Sequence, residues 1–252
     1  MSFNLKNKKI LVCGSTRGIG FDIAKKFYEE KAHVLFTGRT SKKISEIDKK
    51  FKNSYTFKCD FSNESDIQDL KTYIKGNLGY LDSIVCNIGF GKTQTGFEES
   101  LNDWYKIIEI NLMYAVSTIK TLSSLLKSKN NPTIIFISSI CGLEGTQAPI
   151  SYSSAKAALN LFSKNLSTIY IKKNIRVNTV SPGNVLFKGS TWDQKLKENK
   201  KKVLKMIEEN VPIKRFANPR EISNVVAFLV SDLSSFIVGQ NIVVDGGQTN
   251  TL

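Results

Sequence analysis

The sequence predicts an α/β fold: a doubly wound sheet of about seven parallel strands with helices on both faces. Three observations predict it. Short apolar runs recur along the whole chain, amphipathic stretches of helical length separate them, and a glycine-rich turn follows the first run directly. Strands separated by helices imply crossover connections and therefore parallel pairing. The 252 residues suit one domain over 1–252, because α/β folds of this length commonly form a single core.

The strand candidates are 9–13, 33–37, 54–58, 82–86, 133–137, 175–180 and 241–244, each rich in Ile, Val, Leu or Phe. The helix candidates lie near 18–31, 41–51, 64–77, 101–128, 152–173 and 219–231. Over 152–173, Ala155, Leu159, Phe162, Leu166 and Ile169 recur at helical spacing and predict one buried stripe. Ala157 and Leu161 lie off it, on a second apolar face that fits either a partner helix or packing under a loop. Pro132, Pro149, Pro182, Pro212 and Pro219 all fall in loops or at helix starts.

Composition narrows the function. Hydrophobic residues make up 41% and charged residues 23%, which is globular rather than disordered. No run reaches the roughly 18–20 apolar residues that span a bilayer, and no secretory leader is visible, so no membrane contact is expected. His33 is the one histidine and opens an apolar strand, so histidine-based triads and His-rich zinc sites are disfavoured. Cys13, Cys59, Cys86 and Cys141 have no CxxC spacing and read as buried, reduced thiols; no metal is expected, and the compartment is the cytoplasm. The net charge is +14, but the lysines are scattered and no nucleic-acid motif appears. The dense run 195–205 reads as a solvated helix face. The charge suits solubility, or attraction of a phosphorylated small substrate or an acidic carrier protein.

Gly14-Ser15-Thr16-Arg17-Gly18-Ile19-Gly20 stands between the first strand and the first helix. Its glycines allow a tight turn and close backbone approach, and the helix N-terminus presents unpaired N–H groups to a pyrophosphate. This marks a Rossmann-like dinucleotide site. The second strand ends in Thr37-Gly38-Arg39 with no carboxylate to bond a ribose diol or repel a 2′-phosphate. Arg39 can pair with that phosphate and Arg17 adds a second cation, so NADP(H) is expected over NAD(H).

Tyr152 and Lys156 stand at i and i+4 on one helix and share a face. A free tyrosine titrates at about 10, and a nearby ammonium favours the phenolate. Ser139 follows a buried strand and so falls at the ligand-binding edge of the sheet. Taken in order, these features resemble the short-chain dehydrogenase/reductase family over roughly residues 8–248. The resemblance is carried by Gly14-x-x-x-Gly18-Ile19-Gly20, Asp60, Asn87-Ile88-Gly89, Asn111, Ser139, Tyr152-Ser153-Ser154-Ala155-Lys156, Ser181-Pro182-Gly183 and Val244-Asp245-Gly246-Gly247.

The resemblance implies an alcohol–ketone oxidoreductase. Tyr152 is implied as acid/base, Lys156 as its tuner and ribose ligand, Ser139 as the substrate-oxygen donor, and Asn111 as holder of a relay water. It implies cofactor contacts from Gly14, Ser15, Thr16, Arg17, Gly18, Ile19, Gly20, Arg39, Asp60, Phe61, Asn87, Gly89, Tyr152, Lys156, Pro182, Gly183 and Val185. Cys13 stands where relatives usually carry threonine, losing a tie between the first and fourth strands, and Ile88 replaces a smaller alanine. The segment 184–210 resembles a substrate-covering loop and helix. Glu144, Gln147 and Trp192 are the substrate-side candidates. A sugar or activated sugar of surface-glycan synthesis is expected, with a 3-oxoacyl thioester as alternative; in that case Lys127, Lys129 and Lys173 meet an acidic carrier. A non-catalytic NADP sensor is a remote alternative. A homotetramer or homodimer is implied, through the helices near 101–128 and 152–173 and the last strand.

Overall fold

The computed structural model describes residues 3–91, 93, 97–127 and 131–250. Seven strands, β1 (Lys9–Cys13), β2 (His33–Gly38), β3 (Tyr55–Lys58), β4 (Ser83–Cys86), β5 (Thr133–Ile137), β6 (Arg176–Pro182) and β7 (Asn241–Val244), form one sheet ordered β3-β2-β1-β4-β5-β6-β7. Every neighbouring pair is parallel. The winding reverses between β1 and β4, which opens a crevice beyond the carboxyl ends of those strands. The strand β6 runs further than its apolar core suggests, carrying Ser181 and Pro182 into register with Val243 and Val244.

The helices are α1 (Gly18–Glu29), α2 (Ser41–Lys50), α3 (Glu64–Asn77), α4 (Leu101–Ile108), α5 (Tyr114–Leu122), α6 (Ile150–Tyr170), α7 (Thr191–Asn210) and α8 (Pro219–Val230). Strand alternation sends side chains to two cores. Ile10, Val12, Val34 and Phe36 meet Ile23, Phe27, Ile222 and Val226 on one face. Leu11, Leu35, Ile84 and Phe136 meet Ile67, Leu70, Ile119 and Leu159 on the other. This is the doubly wound fold that the sequence predicts.

Two expectations need correction. The stretch 101–128 is not one regular helix: a π turn at Glu109–Met113 separates α4 from α5, and residue 128 lies outside the described residues. On α6 Ala155 and Leu159 are buried and Phe162 and Leu166 pack half-buried against the core as expected, but Ser163 and Ser167 are buried as well and Ile169 is 56% exposed. Small side chains take the inner positions because neighbouring backbone comes close; a Cβ on Gly239 would stand 2.5 Å from Ser167 Oγ. Ala157 and Leu161 are exposed, so no described segment covers the second apolar face.

Candidate active site

The glycine loop is set by two left-handed glycines, Gly14 (φ 70°) and Gly18 (φ 60°). Asn87, after β4, donates through Nδ2 to the carbonyls of Gly14 (3.2 Å) and Cys13 (3.5 Å). This amide ties the first and fourth strands, the tie that Cys13 itself lacks as a hydroxyl. The approach requires glycine at position 20, where a Cβ would stand 2.3 Å from Asn87 Nδ2. Ile88 fits beside the loop, with its Cγ1 3.0 Å from where a Gly14 Cβ would lie.

The residues expected at the cofactor divide by exposure. Ser15 is fully buried, with its hydroxyl donating to Val12 O at 2.9 Å and accepting from Thr37 N at 2.9 Å. It braces the turn, leaving its backbone for a ligand. Thr37, which the motif does not reveal, shares this role: its hydroxyl bonds Val12 O and accepts from Gly14 N. Thr16 packs on Gly38, Arg17 and Arg39 are exposed, and Ile19 is half-buried. The α1 N-terminus has no side-chain cap from Arg17. Asp60 accepts from Ser62 through one carboxylate oxygen, and the Phe61 side chain is sunk in the core. Gly183 N donates to Val244 O, while Val185 is buried and bridges to Ala217. Phe187, not anticipated from the motifs, lays its ring 2.6 Å from the place of a Gly18 Cβ. A crevice floored by glycine backbone, an uncapped helix N-terminus and two exposed arginines fits a dinucleotide.

Beside this crevice Ser139, Tyr152, Lys156 and Asn111 come together. Ser139 opens a short turn at Ile140–Gly142, with its Oγ accepting from Cys141 N at 3.2 Å. Its hydroxyl also bonds the Tyr152 phenol. Tyr152 as a residue is only half-buried, yet its phenol end lies among packed atoms. Burial pushes its pKa up to about 12, Cys141 adds to the rise, and the Ser139 bond opposes it. Lys156 is 2% exposed, and its Nζ donates to Ile137 O at 3.0 Å. Burial lowers that ammonium to about 8. Desolvation therefore outweighs the expected depression of the phenol, and the chain alone holds a neutral tyrosine beside a readily deprotonated lysine.

Asn111 explains the π turn that carries it. Its Nδ2 donates to Phe90 O (2.7 Å) and Ile107 O (3.0 Å), and its Oδ1 accepts from Phe90 N (3.1 Å). The side chain thus clamps the loop after β4 from both sides, at the cost of one regular helical turn. Gly89 lies between, where a Cβ would stand 3.0 Å from Asn111 Oδ1 and 3.1 Å from Lys156 Nζ.

The substrate-side candidates do not converge on one another. The Glu144 carboxylate accepts from Asn250 N at 3.1 Å, Gln147 is exposed, and Trp192 leans on Phe216 at 5.5 Å with its ring tilted by 52°, beneath the Lys195 ammonium. The segment 184–210 is largely the helix α7, capped by Ser190, whose oxygen accepts from Asp193 N. Cys13, Cys59, Cys86 and Cys141 are free thiols. Among the described residues there is no metal-binding cluster and no helix long and apolar enough to cross a membrane.

Comparison with known proteins agrees with this geometry. Residues 14–249 match the family model described as "Enoyl-(Acyl carrier protein) reductase". The 3-oxoacyl-[acyl-carrier-protein] reductase FabG of Aquifex aeolicus is 32% identical, over 98% of this chain and 99% of that protein. L-sorbose reductase of Gluconobacter frateurii, solved with NADPH and L-sorbose, superposes with a TM-score of 0.91 at 31% identity, covering 100% of both chains. A 7α-hydroxysteroid dehydrogenase, solved with NADH and 7-oxo glycochenodeoxycholic acid, superposes at 0.88 with 26% identity, over 100% of this chain and 98% of that one. The chain belongs to the short-chain dehydrogenases/reductases, oxidoreductases that interconvert alcohols and ketones with a nicotinamide cofactor.

The fit of the Ser139 turn against α6 rests on Gly142. A Cβ there would stand 2.6 Å from the Lys156 carbonyl carbon and 2.7 Å from Ala157 N, both backbone atoms that cannot swing aside. Gly142→Ala is expected to cost about 1–3 kcal/mol, lowering the thermal midpoint by several degrees. Gly145→Ala, with nothing within 4 Å, serves as the control and leaves the midpoint unchanged. Thermal unfolding of both variants checks this.

Proposed function

We propose that this chain is an NADP(H)-dependent reductase or dehydrogenase of a sugar or activated sugar, with Tyr152 as its acid/base. The observation that carries the reading is the cluster of a Ser139-bonded phenol and a buried Lys156 ammonium beside a dinucleotide crevice. A bound nicotinamide supplies or accepts the hydride. The chain's residues manage the proton. In the reductive direction the Tyr152 hydroxyl donates to the substrate oxygen, which Ser139 Oγ steadies as charge develops on it. The Lys156 ammonium, beside the Tyr152 ring, then stabilises the phenolate that is left. The Phe90 and Gly91 backbone, fixed by Asn111 and by the Tyr152 ring, forms one wall.

The end of β2 supports NADP(H): it offers exposed Arg39 and no carboxylate, with exposed Arg17 in the adjoining loop. The sorbose reductase solved with NADPH supports both the cofactor and the sugar. Glu144 and Trp192 then shape the pocket rim through Asn250 and Phe216, beside exposed Gln147. The FabG relative favours the second reading, a 3-oxoacyl thioester. Lys127 and Lys173 are available to a carrier there, while Lys129 lies outside the described residues. A homodimer or homotetramer fits two exposed apolar surfaces. One runs along α4 to α6 through Leu101, Tyr105, Met113 and Leu161; the other joins Leu233, Phe236 and Val243 near β7. The four free thiols suit a reducing cytoplasm.

Loss of NADPH absorbance against free, phosphorylated and nucleotide-linked keto sugars and an acetoacetyl thioester tests the reading. Turnover of a sugar is expected. Turnover of the thioester alone overturns the sugar assignment. With the active substrate, Tyr152→Phe is expected to lose about 10²–10⁴-fold in kcat while binding NADPH normally; near-native turnover contradicts its role.

Cofactor choice has its own test. Arg39→Ala is expected to weaken NADPH binding about tenfold or more while leaving NADH unchanged. Equal effects on both cofactors, read by fluorescence titration, contradict the assignment.

A further inference from the structure

Glu99 lies in the loop after β4 and is 8% exposed. Its carboxylate meets no cation among the described ion pairs. Instead it reaches across 52 residues to α6. Oε2 accepts from Ser151 N at 3.0 Å, and Oε1 accepts from Ser151 Oγ at 2.7 Å. Oε1 also accepts from the Thr93 hydroxyl, closing the loop on itself. Such an arrangement is a cap borrowed from a distant segment. The residue that should cap α6 locally is Pro149, which offers no side-chain acceptor. A carboxylate at this place satisfies one orphan N–H and opposes the positive end of the helix.

The location gives the cap its meaning. Ser151 is the immediate neighbour of Tyr152, so the carboxylate holds the turn that aims the phenol. The same loop meets the phenol ring directly: a Cβ on Gly91 would stand 3.0–3.3 Å from Tyr152 ring carbons. Asn111 clamps the next residue back, Phe90, through both of its amide atoms. The loop is therefore pinned at Phe90, at Gly91 and at Thr93 with Glu99, and two of those pins end on Ser151 or Tyr152. Without Glu99 the N–H and hydroxyl of Ser151 lose their acceptor, and the first turn of α6 and the pocket wall are free to move apart.

We infer that Glu99 is a positioning residue for the reaction, fixing the Tyr152 turn of α6 and the loop after β4 as one unit. The inference rests on the acid/base reading of Tyr152. It is tested in the full chain with Glu99→Ala, Glu99→Gln and Ser151→Ala, reading NADPH affinity, kcat and KM for the carbonyl substrate, and the thermal midpoint. Glu99→Ala is expected to lower kcat about tenfold to a hundredfold, with NADPH affinity within about twofold of the parent. Glu99→Gln keeps a carbonyl for Ser151 N and is expected to recover most of that loss. A residue that only stabilises the fold would lower the midpoint and leave kcat and KM of the folded enzyme unchanged, and that result overturns the inference. Should Glu99→Ala fail to fold, Ser151→Ala decides. It keeps the N–H bond, loses the hydroxyl bond, and is expected to lower kcat about threefold or more with NADPH binding intact; parent kcat in that variant overturns the inference. Tyr152→Phe separates the two readings. An active Tyr152→Phe enzyme removes the acid/base role itself, whereas an inactive one beside a fully active Glu99→Ala enzyme removes only the role of Glu99.

Discussion

An ammonium buried at the end of β5, with no carboxylate paired to it among the described residues, is the constraint around which the site is arranged. The Lys156 Nζ donates to the carbonyl of Ile137, and burial takes its pKa down to about 8. The neighbouring phenol is held up at about 12 for the same reason. Each shift corresponds to about 3 kcal/mol between protonation states, so the pocket resists charge on either group. That resistance keeps the phenol in the protonated form that can donate to a substrate oxygen. A group held in its charged form by a strong ion pair would give up its proton reluctantly. A lysine within reach of neutral pH can carry the ammonium that stabilises a phenolate, or give up its proton, without breaking an ion pair.

The fold supplies the walls that exclude water from this pair. Gly142 lets the Ser139 turn press on α6, Gly91 lets the loop after β4 press on the Tyr152 ring, and Gly89 leaves room for Lys156 and Asn111. Asn111 sacrifices a regular helical turn to hold Phe90. On the cofactor side, Asn87 replaces a hydroxyl at position 13 as the link between β1 and β4, and Ser15 with Thr37 knits β1 to β2 beneath the glycine loop. The crevice at the reversal of strand order is thus braced from its three neighbouring strands.

Much of this was readable from the residues. Apolar runs of Ile, Val and Phe place every strand within two residues, because a strand covered on both faces needs no polar alternation. The glycine loop and the i, i+4 pair of Tyr152 and Lys156 are local patterns, and the structure brings them to one edge of the sheet. What escaped depends on distant contacts. The π turn at Asn111 comes from a bond to Phe90, which helical spacing does not reveal. Ile169 fits a helical stripe, yet it is exposed, and close approach of the Gly239 backbone suits the small Ser167 at the inner position. Trp192 has the look of a substrate platform in sequence, whereas in the structure the Lys195 ammonium lies over its ring and Phe216 leans against it. Glu99 carries no local signal, because its partner is 52 residues away. The Tyr152 pKa went the opposite way from the simple charge argument, because spacing shows a neighbouring ammonium but not the loss of water around both groups.

Burial, with no carboxylate partner among the described residues, holds Lys156 within reach of neutral pH. Titration of the chain with nitrogen-labelled lysine, followed by NMR at the side-chain Nζ, tests it most directly. One lysine is expected to titrate near 8, with a signal that is absent from Lys156→Met. If every lysine titrates at about 10 or above, as in free peptides, the ammonium is solvated or paired and burial does not control the site.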